Sequence, residues 1–320
     1  MTESSQSDPP RESAQTQHNP PSAAEDSSSE DFQPQRGSAY TIVETWFGRM
    51  LVNIHDRYIG RTLQIYGEYG RDEVEVLTQV LPPSGAVLCI DAGANIGPLT
   101  VPLARHLGMR AGIHAFEPQR LIYQMLCANL ALNECWNVFT HQLGLGDVES
   151  EMFLPVAHPH SVNFNWGGVN LIEGYESGEE IKVIRLDDMN YPAVHLIKAD
   201  VEGMEIQMLR GSENTLLKSR PVLYLENDRK EKSRELLEML IKEFKYDIWW
   251  HYPPVVTTNN HNCIPDDFTP MTKIVSLNIL CLPQGPDHNI QGPFIRVEDL
   301  DYWPPDHWET ADRQAASDTA

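Results

Sequence analysis

One stretch constrains the fold of this 320-residue chain more than any other: the apolar run Val87-Leu88-Cys89-Ile90, then Asp91, then Ala92-Gly93-Ala94-Asn95-Ile96-Gly97. Four consecutive apolar residues suit a central parallel strand covered on both faces. The small residues after Asp91 let backbone approach a ligand and the next helix closely, as at the carboxyl end of a parallel strand. Helical spacing follows over Leu99 to Leu107, then a strand over Gly112 to Phe116 closed by Glu117-Pro118, and a helix over Leu121 to Leu132. A third strand begins near Trp136 and ends at Leu143-Gly144-Leu145-Gly146-Asp147. A fourth runs from Val194 into Asp200-Val201-Glu202-Gly203-Met204-Glu205. A fifth, Pro221 to Leu225, ends in Glu226-Asn227, and a long amphipathic helix covers Glu231 to Phe244. Tyr246 to Trp250 and Ile274 to Leu282 are the last two strand candidates. This alternation predicts an α/β fold, a doubly wound and mostly parallel sheet with helices on both faces.

Glycine spacing decides which cofactor suits the first turn. A dinucleotide fingerprint needs Gly-x-Gly-x-x-Gly, whereas Asn95 occupies the second glycine position and Gly97 comes one residue too early for the third. A nicotinamide oxidoreductase is therefore the weaker alternative. Glu117 stands 20 residues after Gly97 and can accept both hydroxyls of a ribose, or else cap a helix starting near Pro118. Asp-Ala-Gly-Ala-Asn-Ile-Gly resembles the first motif of class I S-adenosylmethionine-dependent methyltransferases. Adding Phe-Glu-Pro at Phe116, Leu-Gly-Asp at Leu145, Leu-Asp-Asp at Leu186 and Ile-Lys-Ala-Asp-Val-Glu-Gly-Met-Glu from Ile197, the chain resembles the FkbM family. The likeness runs from about Gly60, through Tyr66-Gly67-Glu68-Tyr69, to Asn278-Ile279-Leu280-Cys281-Leu282-Pro283.

The resemblance implies a Rossmann-like methyltransferase core with S-adenosylmethionine as cofactor. It implies that Gly93, Ala94, Asn95 and Gly97 lie against the methionine part, that Glu117 holds the ribose and that Asp147 accepts from the adenine amino group. Two roles stay open to Asp91: binding the cofactor's ammonium, or fixing the turn through local N–H groups. The resemblance also implies O-methylation of a sugar, glycan or polyketide-type small molecule. A catalytically silent, methyltransferase-like binding module is the non-enzymatic alternative.

An alcohol acceptor must lose its proton as the methyl arrives, so a base is useful. If the fourth strand persists, its period of two sets Lys198, Asp200 and Glu202 on one side. A strand buried on both faces would not ordinarily tolerate such a row. These three are the catalytic candidates, with Asp200 first as proton acceptor. A metal is not expected, although Asp200 with Glu226 and Asn227 would offer oxygen ligands to magnesium or manganese. Asn227 could equally cap the next helix. His158, His160, His251 and His261 read as loop histidines.

The charge is −22, of which −5 falls in Met1 to Ser38 and −6 in Glu298 to Ala320, leaving −11 for the body. Such a surface repels phosphate backbones, so no nucleic-acid partner is expected. Residues 1–38 hold almost no aliphatic side chains and are expected to be a disordered acidic tail. Residues 39–86 read as an N-terminal helical segment, from apolar spacing at Ile42, Trp46, Met50 and Ile54. The methyltransferase-like core spans 87–283, with a hairpin-like flap inserted at 151–185. Residues 284–320 read as an acidic C-terminal tail. That flap, carrying Asn163, Asn165, Trp166-Gly167-Gly168 and Asn170, and the stretch Trp249 to Phe268 are candidates for the acceptor pocket. Five cysteines without a Cys-x-x-Cys pair suit a reducing cytoplasm, and no signal peptide or membrane span is expected. The oligomeric state is not legible.

Overall fold

The computed structural model describes residues 37–156, 158–161, 174–265, 273–285, 288 and 290–304. Residues 1–36 and 305–320, Asn163, Asn165, Trp166 to Gly168 and Asn170 of the flap, and 266–268 lie outside them.

The parallel heart of the sheet is built as the alternating pattern predicts. Strands β3 (Val87–Ala92), β4 (Ala111–Phe116), β5 (Val138–His141), β9 (Leu196–Ala199) and β10 (Val222–Glu226) pair in parallel, in the order β10-β9-β3-β4-β5. Helices α3 (Thr100–Leu107) and α4 (Arg120–Leu132) lead from β3 through β4 to β5. Helices α5 (Glu205–Arg210), α6 (Glu213–Ser219) and α7 (Lys230–Glu238) follow β9 and β10. Cys89 and Ile113 pack with α3 and α4, while Ile90, Ile197 and Leu223 pack with α5 to α7. Winding proceeds outward in both directions from β3, so the strand order switches between β3 and β9. Ligand crevices form at such a point, where successive loops leave on opposite faces. Burying each branched side chain in these layers stabilises by roughly 1.5–3 kcal/mol.

Three further strands complete the sheet. The strand β12 (Asn278–Pro283) inserts antiparallel between β10 and β11 (Tyr246–His251), and β13 (Phe294–Arg296) closes the edge against β11. Residues 284–320 are therefore not simply a tail: Phe294 to Arg296 join the sheet, and Trp303 packs edge-on against buried Trp250 at 5.9 Å between ring centroids. Three residues are too few for period-two alternation to register, which is why β13 escaped the sequence reading. His251 is also not a loop residue. It ends β11 with Nδ1 2.8 Å from the Tyr224 hydroxyl, and burial lowers its imidazole to about 4.

The N-terminal segment needs a second correction. Residues 40–53 form a hairpin of β1 (Tyr40–Thr45) and β2 (Gly48–Asn53), and only then do α1 (Ile59–Tyr66) and α2 (Arg71–Gln79) follow. The spacing of Ile42, Trp46, Met50 and Ile54 is four, an even number that a pleated strand satisfies as well as a helix does. Thr41, Ile42, Val43, Thr45 and Val52 supply the branching that favours strand. The hairpin is clamped to α4 through side chains. Asn129 accepts from Leu51 N at 2.6 Å and donates to Leu51 O at 3.1 Å and Ile96 O at 2.8 Å, while Asn133 brackets Arg49 in the same way.

The third predicted strand is two: β5 in the main sheet, and β6 (Gly144–Leu145) in a small sheet with β7 (Ser150–Leu154) and β8 (Glu179–Ile184). Antiparallel β7 and β8 are the base of the flap, and Leu154, Ile181 and Val183 pack with Met204 beside the turn after β9. No helix among the described residues is long and apolar enough to cross a membrane.

Candidate active site

The turn after β3 is held from two directions. Gly93 N and Ala94 N both donate to Phe116 O, at 3.0 and 2.9 Å, and Asn95 N donates to Glu117 Oε2 at 3.0 Å. From the other side, Asp200 N donates to Ala92 O at 3.1 Å. Gly93 has φ +74, and a Cβ there would lie 1.7 Å from Asp200 O, so only glycine admits this approach of β3 to β9. Asn95 has φ +52, supported by its own Oδ1 accepting from Ile96 N.

Beneath the turn lies a buried charge network. Asp91 Oδ2 accepts from Thr100 Oγ1 at 2.5 Å, and its Oδ1 stands 3.3 Å from Lys198 Nζ, which also donates to Gly93 O at 3.1 Å. Burial works to lower the Lys198 ammonium, but the charges of Asp91, Asp200 and Glu73 outweigh it and raise it above its ordinary value. Lys198 therefore braces the turn from below. The expected row of Lys198, Asp200 and Glu202 along one strand face is absent, because β9 ends at Ala199. Glu205 Oε1 accepts from Val201 N and Gly203 N, folding the acids into a turn in which Glu202 has φ +54. A period-two argument could not see where the strand stops.

A cleft of about 600 Å³ opens above the turn, lined by Gly93, Asn95, Glu117, Leu143, Gly144, Leu145, Leu154, Asp200 and Glu202 among others. Of the predicted cofactor residues, Gly93, Asn95 and Glu117 line it. Asp91 and Ala94 are buried behind it, and Gly97 packs toward Leu126 and Val101 on the far side of the turn. Asp147 corrects the expectation: it is exposed beyond β6 and absent from the lining, where Gly144 and Leu145 stand instead. The Leu-Gly-Asp pattern marked the right loop, but the short strand β6 carries its acid past the cleft.

Glu117 is buried, with Oε2 accepting from Asn95 N and Oε1 from Gln119 N at 2.9 Å. Burial raises its carboxyl to about 7, against the pull of those two N–H groups and the Lys198 charge. Burial likewise raises Glu73 to about 7, and burial with the neighbouring Asp200 charge raises Glu202 to about 8. All three exceed the value of about 4.3 for an unfolded chain. Between about pH 5 and 8 the folded state thus holds protons that the unfolded chain has released, and stability falls as pH rises through this window. The midpoint of thermal unfolding, followed by scanning fluorimetry, is expected to be higher at pH 6 than at pH 8. Glu117→Gln should shrink that difference, and a flat profile would contradict the burial argument.

A second, more open cavity of about 1270 Å³ adjoins the first, sharing Asn95, Asp200 and Glu202 and adding Tyr58, Tyr69, Glu226, Asp228 and Arg229. Asp200, 43% exposed at its side chain, faces both. Tyr69 comes from the pre-motif segment, whereas Tyr66 is in the core and Glu68 accepts from Thr257 N. Asp228 escaped the sequence reading, since only its place two residues beyond β10 marks it. Asn227 turns away and donates to Ser233 Oγ at 2.9 Å, serving the start of α7 rather than a metal. Among the described residues, no group of three or more His, Cys, Asp or Glu is arranged to hold a metal ion.

The methyltransferase FkbM domain model matches residues 91–248. Methyltransferase 1 of Beauveria bassiana (strain ARSEF 2860) is 28% identical over 145 residues, covering 39% of this chain and 58% of that protein. Methyltransferase sdnD of Sordaria araneosa is 27% identical over 216 residues, 57% of this chain and 79% of that protein. Among solved structures, methyltransferase FkbM from Methylobacillus flagellatus KT is similar with a TM-score of 0.43 and 19% identity, over 64% of this chain and 45% of that one. The chain thus spans little more than half the length of the Beauveria relative. Residues 91–248 thus make up a methyltransferase FkbM domain.

Proposed function

We propose that the chain is an S-adenosylmethionine-dependent methyltransferase that methylates a hydroxyl of a sugar, glycan or other small molecule. One observation carries the reading: a cleft at the switch point between β3 and β9 joins a buried carboxylate, Glu117, to a second cavity at the exposed carboxylate of Asp200. The lining fits the cofactor. Each Glu117 oxygen accepts one backbone N–H and keeps a free lone pair, so the carboxylate can take a ribose diol without losing its own support. Gly93 and Asn95 offer a wall without bulk for the methionine end, and Leu143 and Leu145 an apolar one. A sulfonium donor carries no phosphate, in keeping with a cleft lined by carboxylates and no basic side chain among the described residues.

The cofactor supplies the activated methyl, so the protein mainly aligns donor and acceptor and receives a proton. Asp200 stands where the two cavities meet and accepts the hydroxyl proton of the acceptor. The acid-lined second cavity disfavours nucleic acid and other phosphate-rich acceptors.

Calorimetry with S-adenosylmethionine is the direct test, with a nicotinamide dinucleotide as the competing ligand. Glu117→Ala is expected to weaken donor binding by about 10- to 100-fold, the loss of charge-assisted hydrogen bonds to a diol. Unchanged affinity in this variant would refute the ribose role. Incubation with labelled donor and a panel of glycans then identifies the acceptor, and a chain that binds donor but labels nothing would favour a silent binding module.

A further inference from the structure

We propose that the second cavity recognises an acceptor bearing a protonated amine, held by Glu226 and Asp200; this rests on the neighbouring cleft holding the methyl donor. Among the described residues lining the cavity, Arg229 is the one cation, and it is already shared: Nη2 lies 2.9 Å from Glu202 Oε2 and Nη1 3.3 Å from Asp228 Oδ2. Lys198 is committed beneath the turn to Asp91 and Gly93 O, and approaches Asp200 only to 3.9 Å.

Glu226 is left over. It lines the cavity from the tip of β10, yet its Oε2 is closed to solvent and has no hydrogen-bond partner. Burial, then the charges of Asp200, Asp228 and Glu202, hold its carboxyl well above the usual carboxylate range. A half-buried acid among like charges, whose one nearby cation, Arg229, is also paired with Glu202 and Asp228, is short of positive charge. An ammonium group on the ligand supplies it and favours the ionised carboxylate. Tyr58 and Tyr69 line the same space and suit a cation over their rings. A neutral hydroxyl gains nothing from this field, and an anion is repelled.

Three probes of equal length separate charge from shape: 5-amino-1-pentanol, 1,5-pentanediol and 5-hydroxypentanoate, titrated at pH 7 into the full chain saturated with S-adenosylhomocysteine. The amine is expected to bind about tenfold or more tighter than the diol, the gain of a hydrogen bond to a charged group, with no binding by the acid. Its binding heat should vary with the ionisation enthalpy of the buffer, in the direction of proton release. Glu226→Gln, an isostere of the protonated acid, should abolish both the preference and the proton release while leaving donor affinity unchanged and the unfolding midpoint at pH 7 no lower than that of the parent. Equal binding of amine and diol, no binding by the amine, or a preference that survives Glu226→Gln overturns the proposal. A chain that binds no donor overturns the donor reading and this inference together; one that binds donor but not the amine overturns this inference alone.

Discussion

Asp200→Asn is expected to lower methyl transfer by about 10²- to 10⁴-fold, the range for loss of a positioned general base, with donor affinity nearly unchanged. The asparagine keeps the size and polarity of the side chain but cannot take a proton. Donor binding should survive because the contacts proposed for the ribose lie on Glu117, at the tip of β4, which β3 separates from β9. Single-turnover transfer of labelled methyl to the acceptor that the glycan panel identifies separates the two effects. A rate equal to that of the parent would remove Asp200 as base and leave Glu202, whose raised carboxyl holds a proton near neutrality, as a poorer substitute.

Lys198→Met is expected to act on stability instead, by about 3–5 kcal/mol, the cost of leaving a partner charge buried and uncompensated. Methionine preserves the length of the stem but strips Asp91 of its 3.3 Å partner and Gly93 O of its donor. The sign follows from the raised ammonium: a cation held above its unfolded value contributes fully below about pH 10.4 and loses that contribution only at higher pH. At neutral pH the whole effect should appear in a urea titration. Combining it with Asp91→Asn should cost less than the sum of the two single changes, because both remove the same interaction. Should Lys198→Met keep its stability and lose turnover, the lysine would return to the catalytic role that strand alternation first suggested.

Elements with long, regular signals were legible from residues alone. The strand at Val87, the helix at Arg120 and the acids at the strand tips all follow from mostly apolar runs and the turns that close them. Glu117 and Asp200 each sit one residue past the end of a strand, where a parallel sheet opens, and such tips are legible in sequence. Short or ambiguous signals failed. The hairpin at Tyr40 was hidden by a spacing that serves both periods, and β13 by its brevity. Asp147 was assigned by motif, but motif order cannot say how far a two-residue strand carries its neighbour. Lys198 was read from strand alternation, whereas its long stem reaches under the turn to a carbonyl, a contact set by tertiary structure.

The clamp of Asn129 and Asn133 onto β2, together with the insertion of β12 between β10 and β11, bears on how this protein can be cut. A recombinant fragment confined to 91–248 would start after most of β3, strip the Asn129 amide of Leu51, and leave a gap in the middle of the sheet where β12 belongs. Two hydrophobic strand edges would then face water, an invitation to aggregation. Expression boundaries drawn from the recognised segment should therefore be widened to include both Tyr40 and Arg296.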